Sequence, residues 1–383
     1  MKKLIAIDGN SLMHRAYYAL PSMTNKAGTP TGAIYGFMSM LFKLVADAPD
    51  YLLVAFDMHG PTFRHAVYAD YKAGRKATPE DLRPQFPLLQ DLLRAMHITV
   101  CECESYEADD ILGTFSRIAN REDTHALLVT GDRDALQLIT PQTHVLLTKK
   151  GITDTVEYDE ARLMEDYGLT PARMPDLKGL MGDNSDHIPG IPGVGEKTAL
   201  TLLKKYGTLE AVLAHAEEEK GALREKLLKN GDLARMSYTL GVIDTAAPVA
   251  ARLEACAFDP AGMADGISLM QTLELRSLIA RLPQGSAARP AAPIETREVE
   301  TIPVRDAAGL KAVAAAVKNT KQMALYLGDT LYVAADAQKQ YAMVLEATLL
   351  DAGLDAAGVY TALRGELEDA ACKKLLFDAK AME

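Results

Sequence analysis

The chain has 383 residues, 48% of them hydrophobic and 24% charged, with a formal net charge of -11. That length exceeds one ordinary core, so two or three domains are expected, and no run of 18 apolar residues is available to span a membrane. Cys101, Cys103, Cys256 and Cys372 make neither a disulfide framework nor a zinc pattern, which fits a reducing cytoplasm.

The opening "MKKLIAI" resembles the start of a signal peptide, but Asp8, Asn10 and His14 break the apolar run. It reads instead as a first β-strand, "LIAID", ending at Asp8. "YLLVAFD" ends at Asp57 and "ALLVTGD" at Asp132. His97–Cys103 is a fourth strand. Continuous apolar runs of this kind suit strands covered on both faces. Helical patterns fill the gaps at Gly32–Ala46, Leu82–Met96 and Glu107–Ala119. Alternation of strand and helix predicts a parallel α/β sheet. Ligands of such sheets bind beyond the carboxyl ends of the strands.

Between Asp57 and the second of these helices lies Thr62–Arg83, which carries Arg64, Lys72, Arg75, Lys76 and Arg83 among Phe63, Tyr68 and Tyr71. Helical spacing puts Lys72, Arg75 and Lys76 on one face. The segment follows Asp57 and so hangs over the strand ends. A solvated basic face is its ordinary reading; stacking on Tyr71 and phosphate contacts are its functional one.

Past residue 160 the pattern is short helices: Asp159–Tyr167, Met174–Met181, Glu196–Tyr206, Leu209–His215 and Gly221–Met236. Pro283–Thr296 is a Pro/Ala/Ser linker. Beyond it, "MALYLGDTLYVAAD" reads as two strands joined at Gly328-Asp329, and "YAMVLE" as another. The chain stops at Glu383 within a helical pattern, as a fragment would.

Nine carboxylates are candidates for one site. Asp8, Asp57, Asp132 and Asp134 lie at strand ends. Glu107, Asp109 and Asp110 open a helix, with Ser105 as a candidate N-cap. Asp183 and Asp186 sit three residues apart. Any one of them could be an ordinary helix-start acid or a solvated loop residue. Their convergence would be costly without cations. Oxygen donors without His or Cys suit Mg²⁺ or Mn²⁺ rather than zinc, and their number suggests two ions acting on a phosphodiester. The negative total then loses its force against a polyanionic partner: with the nine set aside, residues 1–290 hold 29 acids against 31 bases. Asp8 is followed by Gly9 and Asn10, so a haloacid-dehalogenase-type nucleophile pair is absent. No dinucleotide-binding G-x-G-x-x-G follows a strand.

The stretch "GIPGVGEKTA" places Gly190, Gly193 and Gly195 ahead of a helix, with Lys197 in its first turn. Glycines permit close backbone approach, and a helix start attracts phosphate. A tight helix–helix connection is the plain alternative. A helix-hairpin-helix grip on a nucleic-acid backbone is the functional one.

Taken together, Asp8, Asp57, "YEADD", "TGDRDALQL" and "GDNSDHIPGIPGVGEKTA" resemble the 5′-nuclease (flap endonuclease) family over roughly residues 1–290. The resemblance implies a PIN-like parallel-sheet core with a helical arch at about 60–90. A helical, helix-hairpin-helix-type DNA-binding subdomain would follow. The domain boundaries expected are 1–165, 166–282, a 283–296 linker and 297–383. It further implies that the nine acids bind Mg²⁺ or Mn²⁺ or support those that do, and that the hairpin holds a K⁺ ion. Lys72 and Arg75 would contact the scissile phosphate; Arg15 and Lys178 would contact DNA, as would Tyr71, Lys76 and Lys197. The implied partner is DNA bearing 5′ flaps, nicks, gaps or RNA primers, met by a cytoplasmic monomer. Residues 297–383 resemble the start of a 3′–5′ exonuclease-like domain, cut short. "MALYLGDT" stands where that domain carries Asp-x-Glu, so it is expected to be inactive. Two alternatives remain: a non-catalytic DNA junction-binding module, and a PIN-like ribonuclease.

Overall fold

The computed structural model describes residues 2–46, 48–75, 77–151, 154–249, 252–282, 299–327, 330–336, 338–345 and 354–377. They form two compact units, 1–289 and 290–383. The expected linker 283–296 lies outside the described residues.

The first unit begins β1 (Lys2–Asp8), α1 (Gly9–Ala19), α2 (Gly32–Val45), β2 (Tyr51–Ala55), α3 (Phe63–Val67), α4 (Gln85–Ala95), β3 (Thr99–Cys101), α5 (Ala108–Arg121) and β4 (Thr124–Thr130). A 3-10 turn at Arg133–Leu138 leads to β5 (Thr143–Lys150) and β6 (Asp154–Tyr158). Strand order is β3-β2-β1-β4-β5-β6. The first five strands run parallel and β6 is antiparallel. Alternation along β1 sends Leu4 and Ala6 into a core with α5, and Ile5 and Ile7 into a second core with α1, α2 and α4. Chain order reverses between β1 and β4. That reversal opens the crevice in which ligands of such sheets bind.

Helices α6 (Glu160–Tyr167), α7 (Met174–Met181), α8 (Glu196–Tyr206), α9 (Leu209–Ala214), α10 (Gly221–Lys229) and α11 (Gly231–Gly241) follow, then α12 (Ile267–Thr272) and α13 (Arg276–Ile279). The single helix expected over Gly221–Met236 is two, broken at Asn230, where the backbone leaves helical geometry. Helix α1 and the β5–β6 pair were not expected. Gly-Asn-Ser reads locally as a turn, but Asp8 accepts a hydrogen bond from the Ser11 amide at 2.9 Å and starts a helix there. The expected helical boundary 166–282 is too generous. Met263, Met270, Leu273, Leu275 and Leu278 return to the second core, among α2 and α4 residues. The basic helical face expected at Lys72–Lys76 also does not form: residues 69–74 are turns, and Lys72 sits at φ 59°. Lys76 itself lies outside the described residues.

The second unit contains β7 (Glu300–Pro303), α14 (Ala307–Thr320), β8 (Gln322–Leu327), β9 (Leu331–Ala334), β10 (Lys339–Met343), α15 (Ala356–Glu368) and β11 (Lys373–Phe377). Its sheet order is β11-β8-β9-β10-β7. β8 and β9 pair antiparallel as expected, while Gly328 and Asp329 lie outside the described residues.

Candidate metal and nucleic-acid site

The sheet brings its acids to one edge because each follows a strand or opens the next helix. Asp8 ends β1 and caps α1; its other oxygen accepts from Thr130 Oγ1 at 2.7 Å. Asp57 follows β2 and accepts from the Ala108 amide at 2.7 Å, which ties it to the start of α5. Glu107 is the N-cap of α5, and Asp132 caps the 3-10 turn through the Asp134 amide. Two adjoining cavities result. One of ≈ 640 Å³ is lined by Asp8, Asp57, Glu107, Asp109, Asp132 and Asp186. The other, ≈ 600 Å³, is lined by Asp132, Asp134, Asp183 and Lys178, and by Gly195 and Glu196 of the hairpin. Asp132 and Ser11 line both.

Burial and mutual repulsion raise several of these carboxyls. Asp8 is pushed up to about 7 by burial and by the charge of Asp57. Burial takes Asp134 to about 7 even with Lys178 beside it. Burial raises Asp57 against the pull of Lys72. Asp109 lies well above the usual range through burial and the fields of Asp8, Asp132 and Asp134. Its Oδ1 is buried and has no hydrogen-bond partner. Asp183 goes the other way: burial opposes ionisation, but Lys178 and Ser185 outweigh it and hold the group at about 2. Among the described residues, oxygens of Asp134, Asp183 and Asp186 lie within 4.8 Å of one another. An all-oxygen set with an unpartnered buried carboxylate oxygen suits a hard divalent cation.

Cations from the arch and from α7 reach these acids. Lys72 Nζ lies 2.7 Å from Glu107, and Arg75 pairs with Asp186. The Lys72 amide donates to the Asp186 carbonyl at 2.9 Å. Lys178 bridges Asp134 and Asp183, the latter at 2.8 Å. It is therefore buried inside the cluster, not presented to DNA as expected. Tyr71 is 3% exposed, and its hydroxyl donates toward Glu107 and Asp186 at 3.1 and 3.3 Å. Two carboxylates thus claim a ring expected to stack on bases. Arg15 donates to the Lys149 and Thr148 carbonyls at 2.7 and 3.0 Å, at the rim of the larger cavity.

Asp110 is the clearest correction. It is fully buried, and Arg64 spans both its oxygens at 2.8 Å. Amides of Glu107 and Asp244 add bonds of 3.0 and 2.8 Å. With four donors on two oxygens, Asp110 has no place for a cation. Arg64 extends this lock to the Leu240 and Val242 carbonyls. The arch base is thereby pinned to the end of α11. Arg64 stood in the basic segment, but nothing in its spacing separated it from its solvated neighbours.

In the hairpin, Asp183 and Ile188 exchange backbone bonds of 2.8 Å, so Asp183 and Asp186 belong to one closed loop. Gly190 is buried at φ 57°, and its amide donates to Ser237 at 3.0 Å. A Cβ there would lie 2.2 Å from the Gly182 nitrogen. Its glycine serves packing, and its amide is not free for phosphate. Gly193, Gly195 and Lys197 are exposed. Gly195 caps α8 with no side chain, leaving that helix start open.

Residues 3–168 match the 5′-3′ exonuclease N-terminal resolvase-like domain, and residues 169–264 the 5′-3′ exonuclease C-terminal SAM fold. The chain belongs to the 5′-3′ exonuclease family. Among similar proteins, DNA polymerase I of Bacillus caldotenax is 46% identical over 288 residues, covering 75% of this chain and 33% of that protein. DNA polymerase I of Bacillus subtilis (strain 168) is 43% identical over the same shares. The chain thus spans about a third of the length of the curated relatives it matches. The fold is also that of the bacteriophage T5 5′-exonuclease solved with divalent metal ions. That match has a TM-score of 0.54 and 19% identity, and covers 73% of this chain and 100% of that one. No helix among the described residues is long and apolar enough to cross a membrane.

Proposed function

We propose that this member of the 5′-3′ exonuclease family hydrolyses phosphodiesters in DNA at 5′ flaps and 5′ ends. In a longer polymerase it would serve primer removal, nick translation and repair. The observation that carries this is the meeting of strand-end acids with Lys72 and Arg75 in one open cavity. Asp8, Asp57, Glu107, Asp109, Asp132, Asp134, Asp183 and Asp186 would hold Mg²⁺ or Mn²⁺ or support the acids that do, and the ions when bound supply an activated water and offset charge on the leaving oxygen. Thr130 and the Ser11 amide orient Asp8 for this task. Lys72 and Arg75 bind the scissile phosphate once they exchange Glu107 and Asp186 for it. Asp110 and Arg64 fix the arch base. Arg15 contacts DNA at the cavity rim. Gly193, Gly195 and Lys197 grip the duplex backbone as a helix-hairpin-helix element, and the hairpin holds K⁺. The family match makes this helical part a SAM fold, so the hairpin reading rests on Gly182–Ala199 alone.

The domain reading becomes an α/β core, a shorter helical insertion and a second unit that is a non-catalytic exonuclease-like remnant. A cytoplasmic monomer completes the proposal. The test is cleavage of a labelled 5′ DNA flap with Mg²⁺. Wild type should cut and Asp109→Asn should not. Flap binding in EDTA with no product after Mg²⁺ addition would establish the junction-binding alternative, and preference for an RNA flap the ribonuclease.

A further inference from the structure

Helix α5 carries the acid site at its first turn, yet its last two turns present a different chemistry. Arg117 and Arg121, four residues apart and hence on one face, line a cavity of ≈ 400 Å³ with Asn120, Gln137, Thr140 and Thr245. No carboxylate lines it. Among the described residues neither arginine side chain has a hydrogen bond or ion pair, although the chain carries 52 acids against 41 bases. Arg117 Nε is buried with no hydrogen-bond partner. Other buried cations are handled differently: Arg64 and Lys178 are each spanned by carboxylates. Thr245 Oγ1 is likewise without a partner among the described residues. Asn120 is already held by Thr140 and Thr143, which fixes the cavity wall. The helix C-terminus accounts for a cation at Arg121. It does not account for Arg117, one turn earlier, with a buried donor left open.

We propose that this cavity binds a phosphoryl oxyanion, with Arg117 and Arg121 as paired donors and Thr245 as a third. An arginine fork matches phosphate geometry, and charge-assisted bonds would satisfy the orphaned Nε. The helix rise puts Arg117 about 12 Å along α5 from Asp109, so the arginine pair stands apart from the acids, although Gln137 lines both this cavity and the smaller acid cavity. The oxyanion comes either from a nucleic-acid backbone or from a free phosphate or nucleotide.

Isothermal titration of the 383-residue chain with inorganic pyrophosphate, in EDTA, reads the site directly. Wild type should bind, and Lys72→Met should leave the Arg121-dependent part of that binding in place. Arg121→Met, at an exposed position, should weaken binding roughly tenfold, and Arg117→Met/Arg121→Met further still. Thr245→Val should weaken it severalfold with Tm unchanged, which separates ligand contact from a folding defect. Equal affinity in wild type, Arg121→Met and Thr245→Val would overturn the proposal. The salt dependence of duplex DNA binding then names the source. A slope reduced by about 2 in the double variant assigns the oxyanion to the DNA backbone, and an unchanged slope to a free phosphate. The pyrophosphate arm needs no nuclease activity, so its failure and that of the proposed reaction are distinguishable.

Discussion

The acids of this crevice fall into two groups, those left to neutral donors and those facing a cation of the chain, and the two are treated differently. Asp8 receives only neutral donors, and Asp109 Oδ1 receives none. Asp183, Asp186, Glu107 and Asp110 each have a cation of this chain within reach: Lys178, Arg75, Lys72 and Arg64. Asp109 and Asp110 make the contrast within one dipeptide. A helix turns successive side chains about 100° apart, so one faces the cavity and its neighbour the core. Uncompensated acids are where an external cation has most to gain; at compensated ones it must displace a cation of the chain.

The largest effect should separate those two classes. Asp109→Asn is expected to lower flap cleavage roughly 10³-fold, as for loss of a principal electrostatic group. It should nonetheless raise Tm in EDTA, because it removes repulsion. A fall in Tm would break the comparison. Asp110→Ala should do the opposite. It leaves Arg64 buried without its bidentate carboxylate, costing about 3 kcal/mol in urea unfolding, with no rescue by Mg²⁺.

Lys178→Met sharpens the distinction: the metal-free protein should lose stability, and a divalent cation should restore it by taking the place of the ammonium. Proton linkage gives a smaller, graded signal. Asp8 and Asp134 titrate near 7 when folded and near 3.8 when unfolded, so the folded state binds more protons between those values. Stability in EDTA should therefore fall as pH rises from about 4 to 7, and Mg²⁺ should flatten that slope. Asp183, held at about 2, contributes the reverse, losing its share only in stronger acid. The smallest effect is at the hairpin. Lys197→Met should weaken duplex binding severalfold and reduce the salt slope by about 1, with metal-free Tm unchanged.

Strands ending at Asp8, Asp57 and Asp132 were legible because a both-face-buried strand leaves a continuous apolar run, and the polar residue that stops it marks the edge. Helix α1 was not, because its cap is a hydrogen bond to Asp8 and not a pattern. The arch was misread as helical since Lys72, Arg75 and Lys76 fit a 3.6-residue period. Its backbone is instead set by contacts far along the chain, such as the bond from Lys72 to Asp186. The return of residues 258–282 to the second core was equally hidden, because an apolar helix face does not say which surface it will cover.

By itself, then, the amino-acid order determined which residues are acids, that they stand at strand ends and helix starts, and that a parallel sheet would carry them to one edge. Those are consequences of local periodicity and of chain direction in α/β units. Only the tertiary structure decided that Asp110 and Lys178 face inward as partners of Arg64 and of Asp134 with Asp183, that Tyr71 is covered, and that Arg117 is left with an open donor. Charge compensation depends on distances of a few ångströms between segments remote in the chain, and no sequence spacing encodes those distances.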